Sequence, residues 1–296
     1  MSQITTIDFH VTSECNQECP YCWGPMDYQH PVNTTTAKRI ITNIKEVGAQ
    51  RIVFTGGDPL KRTDIGELIM HAKKVDLEVA LSTTGDELTT KLLAKYGEFI
   101  DLISLPLDGS TEAISSQTKK EGHYQAILNA LEMLRKHPNI DVKVCTPVTR
   151  HNLTDIPNII TLVSKYADTT QARVFYNIFQ AFPRSMDPPD WEELLVTDKE
   201  FSSLRQKITG LENITINFLD HETLDRLYVM IFPDGSLVIP KGSEFYTYGK
   251  LLEIENFNEV LESSNFDSPK HQTHSQKWKK VSQQSGRNDL KNLTNP

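Results

Sequence analysis

The sequence predicts an α/β protein built as a partial (β/α)6 barrel with a short C-terminal extension. Three observations lead there. Short runs of β-branched and apolar residues alternate with longer amphipathic stretches through the first 185 residues. Stop and turn residues punctuate the joins. Sequential strands separated by helices imply repeated βα units and a parallel sheet, whose chemistry sits in the loops after the strands.

The strands are expected at 4–11, 51–54, 78–82, 102–105, 142–148 and 173–178. The first helical stripe is Ile40, Ile41, Ile44 and Val47, and Gly48 follows as a C-terminal stop. Ile65, Leu68, Ile69 and Ala72 form the second stripe, and Ile127, Ala130, Leu131 and Leu134 the third. Ile156, Ile159, Ile160 and Val163 form a fourth. Beyond residue 185 a helix is expected to begin near Asp198. A hairpin follows, turning at Pro233-Asp234-Gly235, then a short helix over 256–261. The expected organisation is a barrel core over 1–185 and an extension over 186–262 that closes it. Residues 263–296, rich in Ser, Gln, Asn and Lys, are expected to be a poorly ordered tail or a loosely attached helix.

The chain has 296 residues, with 31 Lys and Arg against 39 Asp and Glu, a net charge of −8. That acidic balance argues against nucleic-acid binding, which favours a basic face. No run approaches the roughly 18 apolar residues of a membrane span, and the N-terminus lacks a leader's basic and apolar regions. A cytoplasmic protein is expected. Four cysteines exclude a disulfide-stapled fold.

Three of the four cysteines lie within eight residues, in Cys15-Asn16-Gln17-Glu18-Cys19-Pro20-Tyr21-Cys22, directly after the first predicted strand. Thiolates at these spacings can converge on one metal centre. A structural zinc site usually takes four protein ligands, and Cys145 stands alone in a later strand. A zinc knot or an iron–sulfur sensor remains an alternative. A 4Fe–4S cluster on three thiolates leaves one iron open to a small molecule.

The Cys-x3-Cys-x2-Cys arrangement, with Tyr21 before the last cysteine, resembles the signature of the radical S-adenosylmethionine superfamily. The resemblance implies that Cys15, Cys19 and Cys22 hold an oxygen-sensitive 4Fe–4S cluster whose open iron chelates S-adenosylmethionine. One electron then cleaves the cofactor, and the resulting 5′-deoxyadenosyl radical takes a hydrogen atom from the substrate. It further implies a reductase such as flavodoxin or ferredoxin, and neither a membrane nor a nucleic-acid partner. Thr55-Gly56-Gly57-Asp58-Pro59 follows the second strand and resembles the family's Gly-Gly-Glu-Pro motif, which meets the cofactor's amino group. Its glycines allow close backbone approach.

By the same resemblance Tyr21 lies near the adenine, and polar residues at strand ends face the ribose and carboxylate. The matching positions are Ser82, Ser104, Thr149 and Asn152. Asp108, Arg150 and Arg184 are candidates for the substrate, an arginine being suited to a carboxylate or phosphate. Cys145 is expected to be a small core residue.

Two branches compete. The course of the chain is similar to viperin-like members, which dehydrate nucleoside triphosphates, in Tyr96–Asp101, Val148–Asn152 and Thr197–Phe201. Cys145 and Asn177 stand where that branch carries Asn and Lys. The hairpin 228–235 is similar to the C-terminal extension of peptide-modifying members, but no cysteine beyond 145 remains to bind an auxiliary cluster. A small polar metabolite or nucleotide is the first expectation for the substrate. A ribosomally made peptide is the second.

Overall fold

The computed structural model describes residues 4–24, 30–181, 183, 191–209 and 211–276. Seven strands run parallel in chain order: β1 (Thr6–His10), β2 (Arg51–Thr55), β3 (Glu78–Ser82), β4 (Leu102–Pro106), β5 (Asp141–Val148), β6 (Val174–Gln180) and β7 (Thr215–Leu219). The chain then returns to the other side of β1. There β8 (Met230–Ile231) pairs parallel, and β9 (Ser236–Lys241) and β10 (Glu244–Lys250) extend the sheet antiparallel. The order β10-β9-β8-β1-β2-β3-β4-β5-β6-β7 leaves β7 and β10 as the edges of an incompletely closed barrel.

Helices α1 (Thr34–Glu46), α2 (Ile65–Lys74), α3 (Thr90–Tyr96), α4 (Glu112–Ser115), α5 (His123–Leu134) and α6 (Ile156–Ala167) lie in the crossovers. Each long helix turns the predicted stripe inward; α1 buries Ala37, Ile40, Ile41 and Ile44. The strands' outward positions, among them Ile7, Phe9, Ile52, Phe54, Val79 and Leu81, meet these stripes in one continuous core. The core therefore lies between sheet and helices, and the inward strand positions are left for a cavity.

Local chemistry sets the boundaries. Asn33 Oδ1 accepts the Thr36 N–H at 2.9 Å to start α1. Short α7 (Trp191–Leu194) precedes α8 (Asp198–Lys207), which opens on a capping box between Thr197 and Glu200, and the four-residue α9 (His221–Leu224) follows β7. The hairpin turns where Pro233-Asp234-Gly235 places it, with Gly235 at φ +82°.

Periodicity does not announce β7. Its five residues bring only two apolar side chains, the half-buried Ile216 and Phe218, against the main core, while Thr215 is exposed and Asn217 is buried on the other face. The helix expected over 256–261 is α10 (Phe257–Ser263), and within the stretch read as a tail α11 (Ser268–Gln276) follows. His271 of α11 is buried; its Nε2 accepts the N–H groups of Thr5 and Thr6 at 3.0 and 3.2 Å, and Nδ1 donates to Leu227 O at 2.9 Å. Residues 268–276 are thus fastened across the N-terminal end of β1 rather than loosely attached. Residues 277–296 lie outside the described ones.

Candidate functional site

A cavity of about 380 Å³ runs along the barrel axis. Cys15, Cys19 and Cys22 line its upper end, and His271 and Ser275 of α11 its lower end. The cysteines sit on the loop after β1, where a turn closed by Cys22 N–H to Cys19 O (3.0 Å) brings them together. Each sulfur accepts one N–H: Cys15 from Gln17 N at 3.4 Å, Cys22 from Gly24 N at 3.4 Å, and Cys19 from Lys119 Nζ at 2.9 Å. Tyr21 donates its hydroxyl to Asp108. Trp23 packs between Tyr228 and Phe245, with ring centroids 5.0 and 6.0 Å away, so the hairpin strand β10 walls the cysteine loop.

The glycine pair lies directly beneath that loop. A Cβ on Gly57 would stand 2.2 Å from Glu14 O, and one on Gly56 2.2 Å from Thr12 O; Gly56 also has φ +144°. A Cβ on Gly24 would lie 3.0 Å from Gly56 O and 3.5 Å from Cys22 Sγ, so the sulfurs and the glycine turn share one neighbourhood. Gly56, Gly57 and Ser82 line the cavity. Asp58 does not. It is fully buried, with Oδ1 accepting Leu60 N and the Thr83 hydroxyl and Oδ2 accepting the Thr84 hydroxyl. Pro59, buried beside it, opens a 3-10 turn. The carboxylate of Asp58 is spent on latching the β2 loop to the end of β3.

Inward side chains of the strands form the cavity wall with a period of two. Ser104 and Cys145 lie side by side, Oγ to Sγ 3.3 Å, and burial pushes the Cys145 thiol up. Cys145 faces the cavity rather than the helix-packed core expected for it. Asp8, Lys143 and Arg51 also face inward. Burial raises the Asp8 carboxyl to about 7, against the pull of Lys143 and Arg51. His10 lines the same space, edge-on to Phe232 at 5.5 Å. Burial lowers it to about 3, and neither ring nitrogen has a hydrogen-bond partner among the described residues.

Several expected site residues lie off the cavity. Asn152 is buried and spends its amide on Asp108 O, Pro147 O and Thr149 N, a clasp between the loops after β4 and β5. Thr149 is buried within that clasp. Asp108 accepts the hydroxyls of Tyr21 and Thr118 behind the cysteine loop. Arg150 points outward, donating to Glu192 O at 2.9 Å and pairing with Glu200 at 3.4 Å. Neither Asp108 nor Arg150 lines the cavity. Arg184 lies outside the described residues.

The sequence reading missed Lys119, His10 and Asp8. Lys119 is 100 residues from its partner sulfur. The inward alternation Thr6, Asp8, His10 in the first strand was the available signal for the other two, since three polar residues on one strand face argue for a wetted wall.

A model of the radical SAM superfamily matches residues 9–163. The S-adenosylmethionine-dependent nucleotide dehydratase of Flammeovirga pacifica is 26% identical over 269 residues, covering 85% of this chain and 88% of that protein. The AdoMet-dependent heme synthase of Oleidesulfovibrio alaskensis is 30% identical over 161 residues, covering 53% of this chain and 41% of that one. Among solved structures, anSMEcpe with bound AdoMet superposes with a TM-score of 0.68 at 13% identity, over 91% of this chain and 84% of that one. That likeness shows the fold.

The chain belongs to the radical SAM superfamily. It is a radical SAM enzyme, of a family that uses a 4Fe–4S cluster and S-adenosylmethionine. The residues present fit both groups. Three sulfurs face one cavity, each already holding an N–H donor, above a glycine turn that no side chain could occupy. Among the described residues no three His, Cys, Asp or Glu are disposed to share one metal ion. A single zinc would need sulfurs about 3.8 Å apart, given Zn–S near 2.3 Å; a cubane meets each thiolate at a different iron. Among the described residues no helix is long and apolar enough to cross a membrane.

Proposed function

We propose that the chain cleaves S-adenosylmethionine reductively at a cluster held by Cys15, Cys19 and Cys22, and takes a hydrogen atom from a small polar metabolite or nucleotide in the barrel. The observation that carries this reading is the cavity itself. It begins at the three sulfurs, runs past the glycine turn, and ends against α11, with Ser82, Ser104, Lys143 and Asp8 set among apolar neighbours such as Val53, Ala80 and Leu102. An axial space of this size, apolar over most of its wall with a few inward polar groups to orient a ligand, suits a small molecule. The match to a nucleotide dehydratase over most of both chains supports the same class.

When bound, the cluster and S-adenosylmethionine supply a carbon-centred radical able to take hydrogen. The chain's own residues do the rest. Gly56 and Gly57 would take the cofactor's methionine end, and Tyr21 and Ser82, which line the same cavity, would meet its nucleoside. Trp23, Tyr228 and Phe245 close the side of the site and exclude water. An external one-electron donor of the flavodoxin or ferredoxin class completes the reaction.

The test is anaerobic incubation of the reconstituted chain with dithionite, S-adenosylmethionine and deuterated nucleotides. We expect methionine and 5′-deoxyadenosine, the latter carrying deuterium from a nucleotide. Label arising only from peptides moves the assignment to peptide modification. Cofactor binding without cleavage favours a sensor.

A further inference from the structure

The three sulfurs are not equivalent. Cys15 and Cys22 each accept a neutral backbone N–H at 3.4 Å, whereas Cys19 accepts the ammonium of Lys119 at 2.9 Å. Charge-assisted bonds are shorter and about twice as strong as neutral ones.

The approach of Lys119 is built into the fold. On one side of it Thr118 donates its hydroxyl to Asp108 at 2.6 Å, and Tyr21 of the cysteine loop donates to the same carboxylate. On the other side Lys120 N–H donates to Gln17 Oε1 at 2.9 Å, and the Lys120 side chain pairs with Glu18 at 2.7 Å. Gln17 is buried and donates onward to Asp86 at 2.7 Å. The two loops are thus stitched together on both sides of Lys119, whose Nζ also lies 5.5 Å from the Tyr21 ring centroid. That geometry aims the ammonium at one sulfur.

Hydrogen bonds to the ligating sulfurs and nearby charge set the reduction potential of an iron–sulfur cluster. Reduction adds one negative charge to the cluster, and a fixed cation beside a ligand sulfur stabilises the reduced form more than the oxidised one.

We propose that Lys119 is a positioning residue that makes the cluster easier to reduce, by holding its ammonium against the Cys19 sulfur. The proposal rests on the reading that Cys15, Cys19 and Cys22 hold the cluster. The step it favours is transfer of one electron from the donor, dithionite in vitro, into the cluster, with no bond made or broken.

The test is a redox titration of the whole, anaerobically reconstituted chain followed by electron paramagnetic resonance, with iron and sulfide counted per chain. Lys119→Gln should lower the equilibrium constant for one-electron reduction about tenfold or more, 59 mV for one electron. Lys119→Arg, which keeps the charge, should stay within about threefold of wild type. A Lys119→Gln chain that titrates with wild type overturns the proposal. Loss of the cluster from either variant overturns it too, because Lys119 then builds the site rather than tuning it. A wild-type chain that takes up no cluster fails the assignment of the three cysteines, and this proposal with it; that outcome is recognised by its iron count before any titration.

Discussion

Thr84 donates its hydroxyl to Asp58 at 2.5 Å, inside a latch that leaves neither oxygen of Asp58 facing the cavity. Where the family's motif carries Glu, this chain places a shorter acid that turns back into the protein. Asp58→Ala should destabilise the cofactor-free chain by about 2–4 kcal/mol, since two buried hydroxyls lose their acceptor. Asp58→Glu, which inserts a methylene into a fully buried site, should cost about 1–3 kcal/mol. Urea unfolding of the apo chain measures both. Unchanged stability in Asp58→Ala would remove the latch.

The three loop cysteines should behave differently from the fourth. Single Cys→Ala changes at 15, 19 or 22 should abolish cluster uptake, whereas Cys145→Ala should keep it. Cys145 sits down the barrel against Ser104, away from the loop that gathers the other sulfurs. Iron and sulfide per chain after anaerobic reconstitution decide the matter. A full cluster in any of the three loop variants contradicts the assignment.

Much of this was legible before the structure. The first six strands are readable because their outward positions are apolar and pack on helices whose stripes are equally apolar. The cysteines are readable because one loop carries all three, and the glycine turn because its demand is steric and local. What stayed hidden depends on distant pairing. Asp58 looks free in sequence because Thr83 and Thr84 are 25 and 26 residues away. Arg150 looks like a substrate ligand until Glu192 and Glu200 fold beside it. Strand β7 escaped because it is short: only Ile216 and Phe218 pack on the main core, and inward Asn217 is hydrogen-bonded to Asn177 at 3.3 Å.

Gly57→Ala tests the contact between the glycine turn and the cysteine loop. Its Cβ would meet three backbone atoms of Ser13 and Glu14 within 2.5 Å, two residues ahead of Cys15 at most. Backbone cannot swing aside like a flexible side chain, so the loop must move. The expected result is a folded chain whose affinity for the cluster falls about 10- to 100-fold, the usual scale for disturbing the support of a metal ligand. Retention of iron against a chelator, compared with wild type at matched far-ultraviolet circular dichroism, reports it; equal retention refutes the contact's importance.

Asp8 should make stability fall as pH rises toward neutrality. Its carboxyl titrates near 7 in the fold against an ordinary 3.8, because burial penalises the charged form. A raised carboxyl contributes stability that is complete below 3.8 and lost as pH climbs through 7. Asp8→Asn, neutral throughout, should therefore gain on wild type between pH 5 and 8, by about 1–3 kcal/mol, and the difference should level off above that. Unfolding at stepped pH measures it. A difference that does not change with pH would place the Asp8 charge in free contact with solvent.

His271 makes the opposite pH prediction at the other end of the barrel. Burial lowers it to about 4 from an ordinary 6.5, so it stays neutral, accepting two backbone N–H groups on one nitrogen and donating from the other. A depressed histidine contributes stability that is present above 6.5 and lost as pH falls through 4. His271→Ala should cost about 2–4 kcal/mol at pH 7, because two donors in the first strand lose their acceptor. That cost should shrink as pH drops from 6.5 toward 4, where protonation takes the accepting nitrogen from wild type as well. Unfolding of both chains at pH 7.5, 5.5 and 4.5 separates the outcomes. A constant cost across that range would mean α11 contributes packing alone, and that the ring bonds to Thr5 and Thr6 add nothing.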